Sequence, residues 1–306
     1  MTGGTGFLGR NMILRLSEEG YQVWAIVRPE SRNIALLPQH KSIHLVFSEL
    51  DSLETKVGSF PKTVRAFFHF AWSGVNREEI DSDTVQERNI AQSLSALRLA
   101  IGLGCGCFFF AGSRNEYGSI QGDYREDAIC DPLDAYGKAK LAFGQKASEL
   151  CCGTGTRFLH ARIFSVYGPG DHPWSLIHTA VTKMLRGLPM ELSDCTQLWN
   201  FMDIRDATDL MLTMVRQVER VPTNDNGIFN VATWDIRPLR EYIEELRSLT
   251  KSNSVLRFGA YRQAAGSAVS LKPDTHKVET IFHWEPRISF ADGIRYLILQ
   301  MEEGHA

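Results

Sequence analysis

Residues 1–10 read MTGGTGFLGR, and how this stretch is read decides the fold. Gly3, Gly6 and Gly9 recur at three-residue spacing, just ahead of a run that predicts a helix over roughly 8–19. In a dinucleotide site, glycines spaced this way allow a tight turn, close approach of backbone to a pyrophosphate, and close helix–strand packing. The helix N-terminus then offers unpaired N–H groups to the phosphates. Taken alone, the motif is equally a glycine-rich turn. A dinucleotide loop normally hangs on the end of a buried strand, and here only Met1 stands before it.

Beyond the loop, strand-like and helical runs alternate. YQVWAIV (21–27), IHLVF (43–47), RAFFHFA (65–71), GCFFFAG (106–112) and TRFLHARIF (156–164) predict buried strands. Helices are predicted at about 81–103 and 134–152. Continuous apolar strands alternating with helices predict a parallel sheet covered on both faces. After Ile163 the pattern changes: a turn cluster YGPGDHP, a helix in WSLIHTAVTKMLRG, a return to strand at GIFNVAT (227–233), and from Trp234 a helix, a strand near VLRFG and a last helix near 289–302. The expected division is a dinucleotide-binding domain over 1–165, rejoined by 201–233, and a smaller discontinuous substrate domain from 166–200 and 234–306.

The 306 residues suit one large α/β domain or two modest ones. A net charge of −3 gives no reason to expect nucleic acid or an acidic membrane surface as a partner. No apolar run approaches the ~20 residues that span a bilayer, and no secretion signal opens the chain. The six cysteines form no Cys-x-x-Cys pair, which predicts no metal site and no disulfide framework and fits a reducing cytoplasm.

Two further features carry chemistry. DAYGKAK puts Tyr136 four residues before Lys140, on one face of the predicted helix. A phenol of pKa ~10 needs a nearby cation to become a useful proton donor or acceptor at neutral pH. FFFAGSRNEYG ends a buried strand at Ser113, where ligands of open α/β sheets bind. Read singly, Ser113 caps a turn and the Tyr–Lys pair is weak; with the glycine loop the three are far more specific.

Together they resemble the extended short-chain dehydrogenases/reductases, the nucleotide-sugar epimerase/dehydratase family. The likeness runs over the whole chain: the loop from Thr2 to Gly9, Ser113 four residues before Tyr117-Gly118, the Tyr136–Lys140 pair, YGPG at 167–170, FNV at 229–231 and WEP at 284–286. It implies a Rossmann-type doubly wound parallel sheet. It makes Tyr136 the catalytic acid/base, has Lys140 hold the nicotinamide ribose and lower the tyrosine pKa, and has Ser113 hydrogen-bond the reacting oxygen. Gly3, Gly6, Phe7, Leu8, Gly9, Phe70 and Ala71 would contact the dinucleotide, FHFAW (68–72) would line the cofactor cleft, and Glu49 and Leu50 would flank the adenine. The loop is then genuine and its first strand truncated. Relatives carry several apolar residues there, so the expected account is a misplaced start, with natural truncation as the alternative. Relatives also pair through helices like 81–103 and 134–152, which implies a homodimer.

Departures narrow the reaction. Dehydratases of the family carry an acidic pair directly after the Ser/Thr position, where this chain has Arg114 and Asn115. Ser165 stands where many members have Asn, and Trp199-Asn200 replaces an Arg-Asp; Ser165 and Trp199 are candidate substrate contacts, with Arg262 as a diphosphate clamp. In AIVRPESRN, Arg28 at the end of the second strand favours the extra phosphate of NADP(H), with NAD as the alternative. The expectation is an NAD(P)-dependent reductase acting at a keto carbon, carbon 4, of a nucleotide-linked sugar, closest in look to reductases of nucleotide-linked 4-keto-6-deoxyhexoses. A 4-epimerase with tightly bound NAD is the alternative. A dinucleotide-binding regulator without turnover is a third reading.

Overall fold

The computed structural model describes residues 1–76, 78–120, 122–261 and 270–304. In chain order the elements are α1 (Phe7–Glu18), β1 (Val23–Val27), β2 (Ile43–Phe47), β3 (Ala66–His69), α2 (Asp83–Gly102), β4 (Cys107–Ser113), α3 (Ala135–Cys151), β5 (Arg157–Ile163) and β6 (Ser165–Tyr167). Then follow α4 (Leu176–Leu185), β7 (Met190–Glu191), β8 (Leu198–Asp203), α5 (Ile204–Arg216), β9 (Ile228–Val231), β10 (Ile236–Pro238), α6 (Leu239–Leu249), β11 (Leu256–Arg257), α7 (His276–Phe282) and α8 (Phe290–Glu302).

The five predicted strands all form, and β3, β4, β5 and β9 pair in parallel in that order. Period-two alternation divides their side chains between two cores. On β4, Cys107, Phe109 and Ala111 join α1 and α5 on one face, while Phe108 and Phe110 join α2 and α3 on the other. Burial on both faces explains why β4 reads as an unbroken apolar run.

The pair β1–β2 attaches to β3 through two residues. Thr2 bridges Ile26 on one side and His69 on the other, both in parallel. The Met1 carbonyl accepts from Ile26 N at 2.8 Å, and Thr2 N donates to Phe68 O at 3.0 Å. Counting Thr2 as a strand, the order across the sheet is 3-2-1-4-5-6-7, whose first six match a dinucleotide-binding fold and whose seventh is β9. The Thr2 hydroxyl reaches His69 Nδ1 at 2.7 Å, and His69 Nε2 reaches Ser93 Oγ on α2 at 2.8 Å, fastening the two-residue stub to the helix layer. Below the stub, between the starts of β1 and β3, lies an apolar cavity of about 360 Å³ lined by Val23, Trp24, Ala66, Phe68 and Leu212.

A second core, built on α4, α6 and α8, packs Ile177, Ile243, Leu246, Ile294 and Leu297 around Phe201 and Tyr242. It covers a small sheet in which β8 lies between parallel β6 and antiparallel β10. β6, β7, β8, β10, α5 and α7 lie where the sequence predicts no element; LWNFMD is short, with two polar residues in six and no clear alternation at its start. No described helix is long and apolar enough to cross a membrane.

Candidate active site

The glycine loop sits at the C-terminal edge of the sheet. Gly3 has φ +70°, and a Cβ there would fall 2.5 Å from Ala71 N; one on Gly9 would fall 2.1 Å from Gly3 O. Backbone is packed on backbone at both positions, which only glycine permits. Gly6 is the N-cap of α1, with no side-chain cap and no acidic residue in the first turn, so the helix N-terminus is open to an anion. A cleft of about 840 Å³ opens beside it. The structure brings Gly3, Gly6, Arg28, Glu49, Leu50, Phe70 and Ala71 together along its wall. Phe7, Leu8 and Gly9 do not line it: Leu8 packs on the core under α1, and Gly9 backs onto Gly3. Arg28 is exposed and forms no ion pair among the described residues, and Ser31 Oγ ties its loop to Thr5 at 3.3 Å. The cradle, the open helix end and the cleft volume fit a dinucleotide.

Ser113 ends β4 and caps a short helical turn over Arg114–Tyr117. Its Oγ accepts from Asn115 N at 3.2 Å, while Glu116 Oε1 accepts from Ser113 N at 2.8 Å, a reciprocal capping box. Asn115 Nδ2 donates to Asp134 at 2.7 Å, and Asp134 caps α3 by accepting from Gly137 N at 2.6 Å. This clamp joins the Ser113 turn to the first turn of α3. A Cβ on Gly137 would lie 2.5 Å from Asn115 O, so the two segments touch backbone to backbone. Tyr136 and Lys140 are thereby set on α3 beside Ser113.

Lys140 is buried, and its Nζ donates to Ala111 O at 2.6 Å. Burial lowers its pKa to about 7, with distant Glu116 acting upward. Burial raises the Tyr136 phenol to about 12, against a hydrogen-bonding interaction with Ser113 that acts downward. Trp72 lies edge-on to Tyr136, ring centroids 6.2 Å apart at 86°. Beneath the Ser113 turn, fully buried Glu116 also receives His160 Nε2 at 2.9 Å and Arg162 Nε at 3.1 Å. Burial pushes the Glu116 carboxyl upward, but His160 and Arg162 outweigh it and hold it below the ordinary carboxylate range.

Ser165 starts β6 and Trp199 lies on β8, its indole N–H buried without a partner among the described residues; neither lines the dinucleotide cleft. Arg262 lies outside the described residues. The Glu116–His160–Arg162 group was not singled out from the sequence, whereas Trp72 closes FHFAW (68–72), the stretch expected to line the cofactor cleft, and lies on the cleft wall. The Ser-x-x-Glu spacing from Ser113 to Glu116 is a capping-box signature that could have found the group.

The sequence profile described as the NAD dependent epimerase/dehydratase family matches residues 1–232. The chain is 24% identical over 305 residues to an ADP-L-glycero-D-manno-heptose-6-epimerase of Nitratidesulfovibrio vulgaris, covering 86% of this chain and 90% of the relative. It is 24% identical over 252 residues to a dTDP-6-deoxy-L-talose 4-dehydrogenase (NAD(+)) of Aggregatibacter actinomycetemcomitans, covering 80% and 87%. In fold it resembles the UDP-glucose 4-epimerase of Thermotoga maritima solved with UDP-glucose, with a TM-score of 0.85, 21% identity and coverage of 99% and 98%. A glycine cradle at an open helix end, a dinucleotide-sized cleft and a profile match over three-quarters of the chain converge: the protein belongs to the NAD dependent epimerase/dehydratase family.

Proposed function

We propose that the protein is a reductase of a nucleotide-linked keto sugar, acting at carbon 4 and using NADP(H). The observation that carries the reading is the clamp of Asn115 on Asp134, which sets Ser113, Tyr136 and Lys140 side by side. Residues 1–165 with 201–233 form the dinucleotide domain, and 166–200 with 234–306 the substrate domain, where Ser165, Trp199 and Arg262 contact the sugar nucleotide. Gly3, Gly6, Phe70 and Ala71 hold the dinucleotide, Glu49 and Leu50 flank its adenine, and Phe7, Leu8 and Gly9 act from behind the cleft wall by seating the start of α1 against the loop. Exposed Arg28 on the cleft wall supports the choice of a 2′-phosphate. A bound nicotinamide supplies the hydride. Tyr136 gives its proton to the keto oxygen; a phenol held near 12 is fully protonated at neutral pH, the form a reduction needs. Ser113 donates a hydrogen bond to the same oxygen, and Lys140 stabilises the phenolate left behind. Arg114 and Asn115 supply no acid/base pair to eliminate water. The protein works in the cytoplasm as a homodimer paired through α2 and α3.

The 4-dehydrogenase relative, named for a dTDP-6-deoxy sugar, supports redox chemistry at carbon 4. The fold likeness to a UDP-glucose 4-epimerase keeps a second reading, a 4-epimerase with retained NAD, in play. Incubation with NADPH and nucleotide-linked 4-keto-6-deoxyhexoses, beside a panel of ordinary nucleotide hexoses, separates them. The reductase oxidises one NADPH per keto sugar, and Tyr136→Phe lowers turnover ~10²–10⁴-fold while binding survives. Cofactor-free interconversion of the second panel, without NADPH oxidation by the first, selects the epimerase; silence on both panels selects a regulator.

A further inference from the structure

We propose that Trp72 is a positioning residue for Lys140: its indole face holds the buried ammonium against the end of β4, in place of a carboxylate partner. The Lys140 Nζ has one hydrogen bond, to Ala111 O, and no ion pair among the described residues. Around it stand three aromatic rings, with centroids 3.9 Å away for Trp72, 4.8 Å for Phe110 and 5.7 Å for Tyr136. A buried cation is disfavoured unless something answers its charge, and the negative face of an indole does so best among aromatic side chains.

The indole is fixed in place. Trp72 Nε1 donates to Gln86 Oε1 at 2.9 Å, Gln86 Nε2 donates to Gly74 O at 3.1 Å, and Asn89 bonds both the N–H and the carbonyl of Ser73 at 3.0 and 2.9 Å. Two buried amides of α2 thus tether the loop that carries the ring. Trp72 lines the dinucleotide cleft, whereas Lys140 does not. The charged and titratable groups facing Lys140 are few. Glu116, from the turn after β4, favours the ammonium from a distance. His69 on β3 is held neutral, its pKa lowered to about 3 by burial, then by Lys140 and the N-terminal amine. Tyr136 on α3 is protonated near neutral pH.

The inference rests on the proposed role of Lys140, but its test needs no turnover. In cofactor-free protein labelled at the lysine ε-carbon, NMR follows the Lys140 midpoint, with Lys140→Arg assigning the resonance. Trp72→Leu keeps the site apolar and removes the π face, so the midpoint should fall by about one pH unit. Trp72→Phe, which retains a ring, should recover most of that shift. Should Trp72→Leu not fold, tryptophan is replaced throughout by its 5-fluoro and 5,7-difluoro forms, which keep the shape and weaken the face; the midpoint should then fall stepwise. A midpoint that stays or rises in Trp72→Leu, or that ignores fluorination, overturns the assignment. A shifted midpoint in a protein inactive on both sugar panels overturns the proposed reaction and leaves the Trp72 assignment supported.

Discussion

Replacing Glu116 tests how the Ser113 turn is held. Its carboxylate accepts from Ser113 N at 2.8 Å, His160 Nε2 at 2.9 Å and Arg162 Nε at 3.1 Å, and its side chain is fully buried. Glu116→Ala leaves the Arg162 guanidinium, 3% exposed, without a carboxylate partner among the described residues, facing Tyr117, Cys130 and the Glu126 carbonyl, so the fold should lose about 3–5 kcal/mol. Glu116→Gln keeps the shape and one carbonyl oxygen but loses the charge, and should lose about 1.5–3 kcal/mol, the worth of a hydrogen bond to a charged group. The pH dependence follows from the direction of the shift. A carboxyl held below its unfolded value near ~4.3 contributes stability that is fully present above that value and is lost as pH falls through the folded pKa. Wild type and Glu116→Gln should therefore differ at pH 7 and converge in acid. Urea unfolding of the three proteins at both ends of that range is the assay. A Glu116→Gln loss within the ~0.5 kcal/mol typical of surface changes, or a gap that widens in acid, would refute the reasoning.

Four other outcomes are expected. Arg28→Asp should weaken NADPH more than NADH by about 1.5–3 kcal/mol in parallel titrations, and an unchanged preference removes Arg28 from the cofactor assignment. Gly3→Ala forces a Cβ against Ala71 N at φ +70°, so dinucleotide affinity and melting temperature should both drop, checked by calorimetry and thermal unfolding. Appending a short alternating apolar segment before Met1 should fill the cavity between β1 and β3 and raise both quantities together; equal values with and without it count against the cavity being filled. Light scattering at micromolar concentration should return twice the chain mass of 34.5 kDa, and a single-chain mass counts against pairing through α2 and α3.

The sequence by itself determined what is local or repetitive. Glycine spacing from Gly3 to Gly9 points to a turn and a helix start, and at Gly3 and Gly9 only a residue lacking Cβ fits the contacts. An i, i+4 relation puts Tyr136 and Lys140 on one helix face whatever surrounds them. Strands buried on both faces announce themselves as apolar runs, as at 107–113. What only the tertiary structure decided depends on residues far apart in the chain. Glu116 meets His160 and Arg162 across 44 and 46 residues because β4 and β5 are neighbours in the sheet. Trp72 lies over Lys140 because the loop after β3 and the start of α3 meet at the same sheet edge. That two residues, Met1 and Thr2, can join β1 to β3 could not be read from composition. It follows from backbone groups presented by strands already fixed on either side.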